Sequence, residues 1–189
     1  MKRISISIAL LLSGAAAALA QDAPDAVEVG MNYSFTNPYP GNGTPSFLSS
    51  GGSGTFVYNF NHVLSAVADL GAYHNPNIAN LNPTTFTYLF GPRVSIRRSR
   101  VVTPYFQALF GGARQWTSFV DPNTGSMAPQ NGFAAAFGGG MDIRVHRHIL
   151  LKPFQVDYLM TRVTNPWTTA GTQNNLRYSA GVVFTFGAK

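Results

Sequence analysis

Cysteine is absent from this 189-residue chain, so no disulfide staples it. Charge is scarce as well. Asp, Glu, Lys and Arg together reach 11%, against roughly 25% in soluble domains, which leaves an unusually apolar β-rich domain or a chain that sits in lipid. Beyond residue 20 there is no run of 18 or more apolar residues, so a second helical membrane span is excluded. What is plentiful is aromatic side chain, at 13%, and glycine, at 19 residues.

The one long apolar run opens the chain. Lys2 and Arg3 precede "ISISIALLLSGAAAALA", and Ala18-Leu19-Ala20 before Gln21 matches the small-x-small pattern of signal-peptidase cleavage. Residues 1–20 read as a removed secretory signal and 21–189 as one domain. Loss of Lys2 and Arg3 lowers the formal net charge from +6 to +4.

Period-two segments recur at about 26–36, 53–61, 64–73, 84–97, 103–119, 132–144, 149–162 and 174–186. Long connections (37–52, 74–83, 120–131, 163–173) alternate with short ones near 62–63, 98–102 and 145–148. Each long one carries Asn or Asp before Pro: Asn37-Pro38, Asn75-Pro76, Asn82-Pro83, Asp121-Pro122 and Asn165-Pro166, a composition that initiates turns. Eight spans of about ten residues, with long loops at one end and tight turns at the other, predict an all-β, eight-stranded, antiparallel up-and-down transmembrane barrel.

The two phases of each strand differ. One holds residues such as Val29, Met31, Tyr33, Phe56, Tyr58, Phe86, Phe90, Phe133, Phe137, Phe154 and Tyr158; the other holds Glu28, Asn32, Asp69, Arg93, Gln107, Asp142, Arg144, Gln155, Asp157 and Arg177. All four acids within the strands fall on the polar phase, which random phasing would produce about one time in sixteen, so the apolar phase is read as facing lipid and the polar phase the lumen. Glu28, Asp69, Asp142 and Asp157 are expected to pair inside with Arg93, Arg144 and Arg177. Lys152 and Arg162 fall on the lipid phase ten residues apart, so they are expected to bracket a membrane about 25 Å thick. Arg114, near Trp116, is also on the outer phase unless Gly111-Gly112 hosts a bulge that flips the register. Pro92 and Pro153, lacking amide donors, fit poorly in mid-sheet and are placed towards the short-turn rim.

The last strand carries the most specific pattern, Ser179-x-Gly181-x-x-Phe184-x-Phe186. It is similar to the C-terminal assembly signal of the small OmpA/OmpX-like outer-membrane β-barrel proteins, which the chain resembles over its whole mature length. It departs from them in continuing through Gly187-Ala188-Lys189. The resemblance implies residence in the cell outer membrane, contact with outer-membrane lipids and lipopolysaccharide, delivery by the barrel assembly machinery through Ser179, Gly181, Phe184 and Phe186, a monomeric state and no nucleic-acid partner.

Candidates for chemistry are few. His146-Arg147-His148 offers two imidazoles in a short turn with no third ligand near in sequence, and reads as a basic turn that joins Arg97, Arg98 and Arg100 at anionic headgroups. Gly138-Gly139-Gly140 lacks the Lys-Ser/Thr of a phosphate loop, Asn42-Gly43-Thr44 matches a glycosylation acceptor at chance-level spacing, and no Gly-x-Ser-x-Gly occurs. No catalytic, metal or cofactor residue is assigned. The reading is a non-enzymatic surface-exposed anchor serving envelope integrity or adhesion. The alternatives are a small-barrel lipid A-modifying enzyme, for which His74 is the only histidine near the long loops, and a soluble lipocalin-type barrel.

Overall fold

The computed structural model describes residues 25–39, 49–74, 81–119, 129–163 and 172–187; the expected signal segment lies outside them. Eight strands follow one another: β1 (Val27–Tyr39), β2 (Ser49–Asn59), β3 (Leu64–His74), β4 (Leu81–Ser95), β5 (Val102–Phe119), β6 (Gln130–His146), β7 (Ile149–Val163) and β8 (Thr172–Phe186). Each pairs antiparallel with its sequence neighbours, and β8 returns to β1 to close the barrel. The predicted strand count, order and fold class are the observed ones.

Closure fixes the shape. Following cross-strand partners from Val29 through Phe56, Ala68, Phe90, Phe110, Ala135, Met160 and Asn174 returns to β1 at Tyr39, a displacement of ten residues (29 to 39). Strands so staggered are tilted, and with eight of them the interior is only wide enough for side chains. The outward phase stays uncovered. Met31, Phe60 and Phe106 are 60–67% exposed, and Tyr33–Phe35 and Phe110–Phe137 pack edge to face on that surface. Such a face is at home in hydrocarbon.

Several strands are longer than their hydrophobic pattern suggested, so all four connections expected to be long are shorter, two of them markedly. Residues 37–39, 49–52 and 81–83 belong to strands, which leaves 75–80 no longer than the short-end connection 96–101. Asn37-Pro38 and Asn82-Pro83 therefore extend strands instead of starting turns. Both prolines are tolerated because each has one strand neighbour only. The β1–β2 ladder ends at Thr36 and the β3–β4 ladder at His74–Thr84, so Pro38 pairs with β8 alone and Pro83 with β5 alone. The missing amide then faces an unpaired edge. The other turn motifs, at Asn75-Pro76, Asp121-Pro122 and Asn165-Pro166, lie outside the described residues.

Pro153 has a larger effect. Between Lys152–Gly181 and Gln155–Ser179, β7 advances three residues while β8 advances two, and against β6 the same extra residue appears between Leu151 and Phe154. This bulge reverses the alternation of β7. Lys152 consequently points into the barrel, 1% exposed, and the expectation that it brackets the membrane with Arg162 is overturned; Arg162 alone is outward and exposed. At Gly111-Gly112, by contrast, the β4–β5 and β5–β6 registers run through unbroken. No bulge occurs there, and Arg114 stays on the outer face.

β8 reaches β1 very closely at Gly181, where a Cβ would strike the Met31 carbonyl oxygen and lie 2.7–2.8 Å from Asn32. The Asn32 amide could turn aside, but the β1 backbone at Met31 and Asn32 cannot yield without parting the strands. Gly181→Val is therefore expected to prevent closure, read as loss of the heat-modifiable folded band after refolding in detergent. Folded protein at wild-type yield would contradict this.

Candidate functional site

Every described carboxylate is turned inward. Asp25, Glu28, Asp69, Asp142 and Asp157 are all buried, whereas the exposed charged residues among those described are all arginine: Arg98, Arg100, Arg114, Arg144, Arg147 and Arg162. The interior is thus where acids meet bases.

Arg177 is the centre of that interior. It projects from β8 across the barrel with no exposed surface and donates from Nη1 to Asp69 Oδ1 on β3 at 2.8 Å. Its Nε and Nη2 donate to Asp157 Oδ2 on neighbouring β7 at 3.0 and 2.7 Å. Nη1 also donates to the Tyr73 hydroxyl at 2.9 Å. Charge-assisted contacts of this kind are the strong ones, and one guanidinium here pairs with two buried carboxylates, leaving Asp69 Oδ2 as the oxygen without a partner among the described residues.

Asp157 passes the network on. Gln155 Nε2 donates to its Oδ2 at 2.6 Å, and Gln107 Nε2 to its Oδ1 at 3.2 Å. Gln155 Oε1 then accepts from Lys152 Nζ and from the Tyr105 hydroxyl, at 3.2 and 2.7 Å. Gln107 Oε1 accepts from Arg93 Nη2 at 2.8 Å. Arg93 lies over the Tyr105 ring, 4.1 Å from its centroid, with Lys152 at 5.5 Å from the same ring. A single hydrogen-bonded system therefore links β3, β4, β5, β7 and β8.

The expected set of luminal charges is distributed differently from what its phase implied. Asp69, Asp157 and Arg177 come together. Arg93 is inside but contacts Gln107 and Tyr105, with no carboxylate within ion-pair distance among the described residues, and Asp142 is buried with its Oδ1 unpartnered. Arg144 leaves the lumen. It lies two residues from the end of β6, opposite Leu150 at the short-turn rim, where its side chain is 41% exposed and pairs with Asp25 at 3.3 Å. Glu28 sits low in the barrel, where it accepts from Asn59 at 2.8 Å and from Arg97 at 3.1 Å. Arg97, expected at the headgroups with Arg98 and Arg100, instead folds under the barrel mouth and also donates to Asn59 Oδ1 and the His62 carbonyl. Burial lowers its pKa from the usual arginine value, and Glu28 opposes that shift.

Three features were missed in the polar phase: the inward Lys152, the two luminal tyrosines, and an apolar layer. Val57, Val67, Leu89, Leu109, Ala113, Ala134, Ala136 and Leu159 form one buried cluster inside the barrel, none more than 3% exposed. Leu89 follows Thr85 and Thr87 on one phase, and Leu109 follows Gln107, so the alternation held a legible sign of it. His74, the histidine of interest for lipid chemistry, points outward with Nδ1 2.9 Å from Thr84 Oγ1. His146 and His148 are exposed, and among the described residues no three His, Cys, Asp or Glu could hold one metal ion.

A closed antiparallel barrel with an aromatic exterior, charges turned inward and its lumen packed defines a transmembrane β-barrel of the outer-membrane type. The model of the outer membrane protein beta-barrel domain family matches residues 6–189, and the chain belongs to that family. Among solved structures it is similar to Neisserial surface protein A, at 15% identity and a TM-score of 0.69 over 88% of this chain and 100% of that one. It is also similar to Ail, the attachment invasion locus protein of Yersinia pestis (13%, 0.57, 84% and 97%), and to the outer membrane protein OprG of Pseudomonas aeruginosa (11%, 0.53, 90% and 100%). At these identities the likeness is one of fold. A comparison with curated proteins finds no match.

Removing Arg177 would leave two buried carboxylates facing each other. Arg177→Met is expected to lower stability to urea unfolding in detergent by about 3–5 kcal/mol, and Arg177→Met with Asp69→Asn and Asp157→Asn to recover part of the loss. Arg93→Met, with no carboxylate to strand, should cost less. Equal effects at the two arginines would contradict the geometry.

Proposed function

We propose that this protein is a non-enzymatic integral outer-membrane anchor that presents its long loops at the cell exterior in the service of envelope integrity or adhesion. The observation that carries this reading is the filled lumen. The Arg177 system crosses the barrel, and the Leu89–Leu109–Leu159 layer packs beside it, so two successive barriers oppose water and ions. Polar groups that bind one another leave little free to bind substrate, which favours an anchor over an enzyme or a channel. The name of Ail, the attachment invasion locus protein, lends support to a surface role at the level of shared architecture.

Orientation and biogenesis belong to the same proposal. The signal at 1–20 exports the chain, the assembly machinery takes up Ser179, Gly181, Phe184 and Phe186, and a monomer inserts with the short turns at the periplasmic side. Outer-membrane lipids and lipopolysaccharide surround it. Four of the six exposed arginines, Arg98, Arg100, Arg144 and Arg147, are then at the inner leaflet, where anionic phospholipid attracts them.

Two measurements test this. Detergent should be required to extract the protein, and protease added to intact cells should cut only between β1 and β2, β3 and β4, β5 and β6, or β7 and β8. Cleavage at Arg97–Arg100 would reverse the orientation. Purified wild-type monomer in planar bilayers should conduct negligibly, and steady large single-channel currents would show an open pore.

A further inference from the structure

Among the described residues, the two exposed charged ones at the long-loop end, Arg114 and Arg162, are both outward and lie level with each other. Arg114 on β5 stands opposite Asn131 of β6, and Arg162 on β7 stands opposite Phe133, two residues along on the same outward phase. They flank β6 from its two sides, with backbones roughly 10–12 Å apart at the usual strand spacing. Arg114 is ten residues above Pro104 on β5, about 25 Å at a ~40° tilt. That is the height of the apolar band, so both guanidinium groups emerge where hydrocarbon gives way to headgroups.

What surrounds them is specific. Arg114 lies 5.1 Å from the ring centroid of Trp116, an aromatic type favoured at that boundary, and Asn131 and Phe133 are exposed between the two arginines. No described carboxylate faces outward to neutralise them. Guanidinium forks match phosphate oxygens, the amide of Asn131 adds a donor, and Phe133 and Trp116 offer apolar surface to the carbon skeleton beside the phosphate.

We infer that Arg114, Asn131 and Arg162, flanked by Trp116 and Phe133, form a binding site on the outside of the barrel for the phosphate groups of an outer-leaflet glycolipid. The occupant is a phosphate carried on a lipid, because the site opens onto the membrane and its lower edge is hydrocarbon-facing Phe133. This rests on the orientation proposed above and deepens its lipid contact to a particular set of residues.

The test uses purified, refolded protein in detergent and native mass spectrometry with three probes: diphosphorylated lipid A, its dephosphorylated form, and inorganic phosphate. Wild type should retain lipid A at least ten-fold more strongly than Arg114→Gln/Arg162→Gln. It should hold the dephosphorylated lipid no better than that variant does, and inorganic phosphate at equal concentration should not displace lipid A. Arg98→Gln/Arg100→Gln, at the opposite rim, should bind as wild type. Undiminished binding by the Arg114/Arg162 variant, equal binding of the dephosphorylated lipid, displacement by inorganic phosphate, or an equal loss in the Arg98/Arg100 variant would each overturn the site. If the double variant does not fold, the single replacements are each expected to weaken lipid A binding several-fold, and no loss in either would overturn it. Extraction from membranes and the protease pattern on intact cells report insertion and orientation separately, so failure of this site is distinguishable from failure of the anchor reading.

Discussion

In hydrocarbon no water is available to an unpaired N–H or C=O, so a spanning sheet has to close on itself. The pairing of β8 with β1, which runs from Val27–Phe186 to Tyr39–Asn174, is the contact on which the rest of this molecule depends. The prolines are placed around it. Pro38 and Pro83 sit where their strands have one neighbour, and the β4–β5 ladder is interrupted between Phe90–Phe110 and Arg93–Gln107, beside Pro92. Pro153 sits in the bulge of β7. Gly181 is fixed by the same contact, since β1 backbone occupies the space a side chain would need.

Closure with eight strands creates a narrow interior, and the interior dictates its own chemistry. A carboxylate there is costly unless matched, and Arg177 matches two at once, on opposite sides of the barrel. Gln107 and Gln155 then relay the Asp157 carboxylate towards Arg93, Lys152 and Tyr105, so that charges without a direct counter-ion are held by amides and a π face. Such a network gains less in net stability than its contacts suggest, because desolvation opposes it, but breaking one member is costly. The apolar layer of Leu89, Leu109, Leu159 and small alanines has no such penalty and completes the seal.

The exterior follows from what the interior has taken. With the described acids buried, the exposed charges among the described residues are all arginine, gathered at the two ends of the apolar band. The sequence already displayed much of this. Strand number, strand order and the inward phase of Asp69, Asp157 and Arg177 follow from strict alternation, which needs only the pleat of a strand. A departure from the pleat escaped it. One extra residue at Pro153 turned Lys152 inward. Arg144 keeps its phase but stands two residues from the end of β6, at the rim, where it reaches Asp25. Arg97 escaped for another reason: it lies beyond the end of β4, where alternation has no say, and a long flexible side chain goes to the acid it can reach. Strand ends were also underestimated, because polar residues such as Asn37 and Asn82 continue a ladder whose backbone pairing does not depend on their side chains.

Closure itself can be measured covalently, helped by the absence of native cysteine. Ser34 of β1 and Ser179 of β8 are paired across the seam with their hydroxyl oxygens 2.8 Å apart inside the barrel. In a Ser34→Cys/Ser179→Cys variant, mild oxidation of the folded, detergent-solubilised protein should join the two strands in most molecules, seen as a mobility shift that reductant reverses. The thiols should also resist a hydrophilic maleimide before oxidation. Folded protein in which both thiols stay free and react readily with the reagent would contradict a closed ladder between the first and last strands.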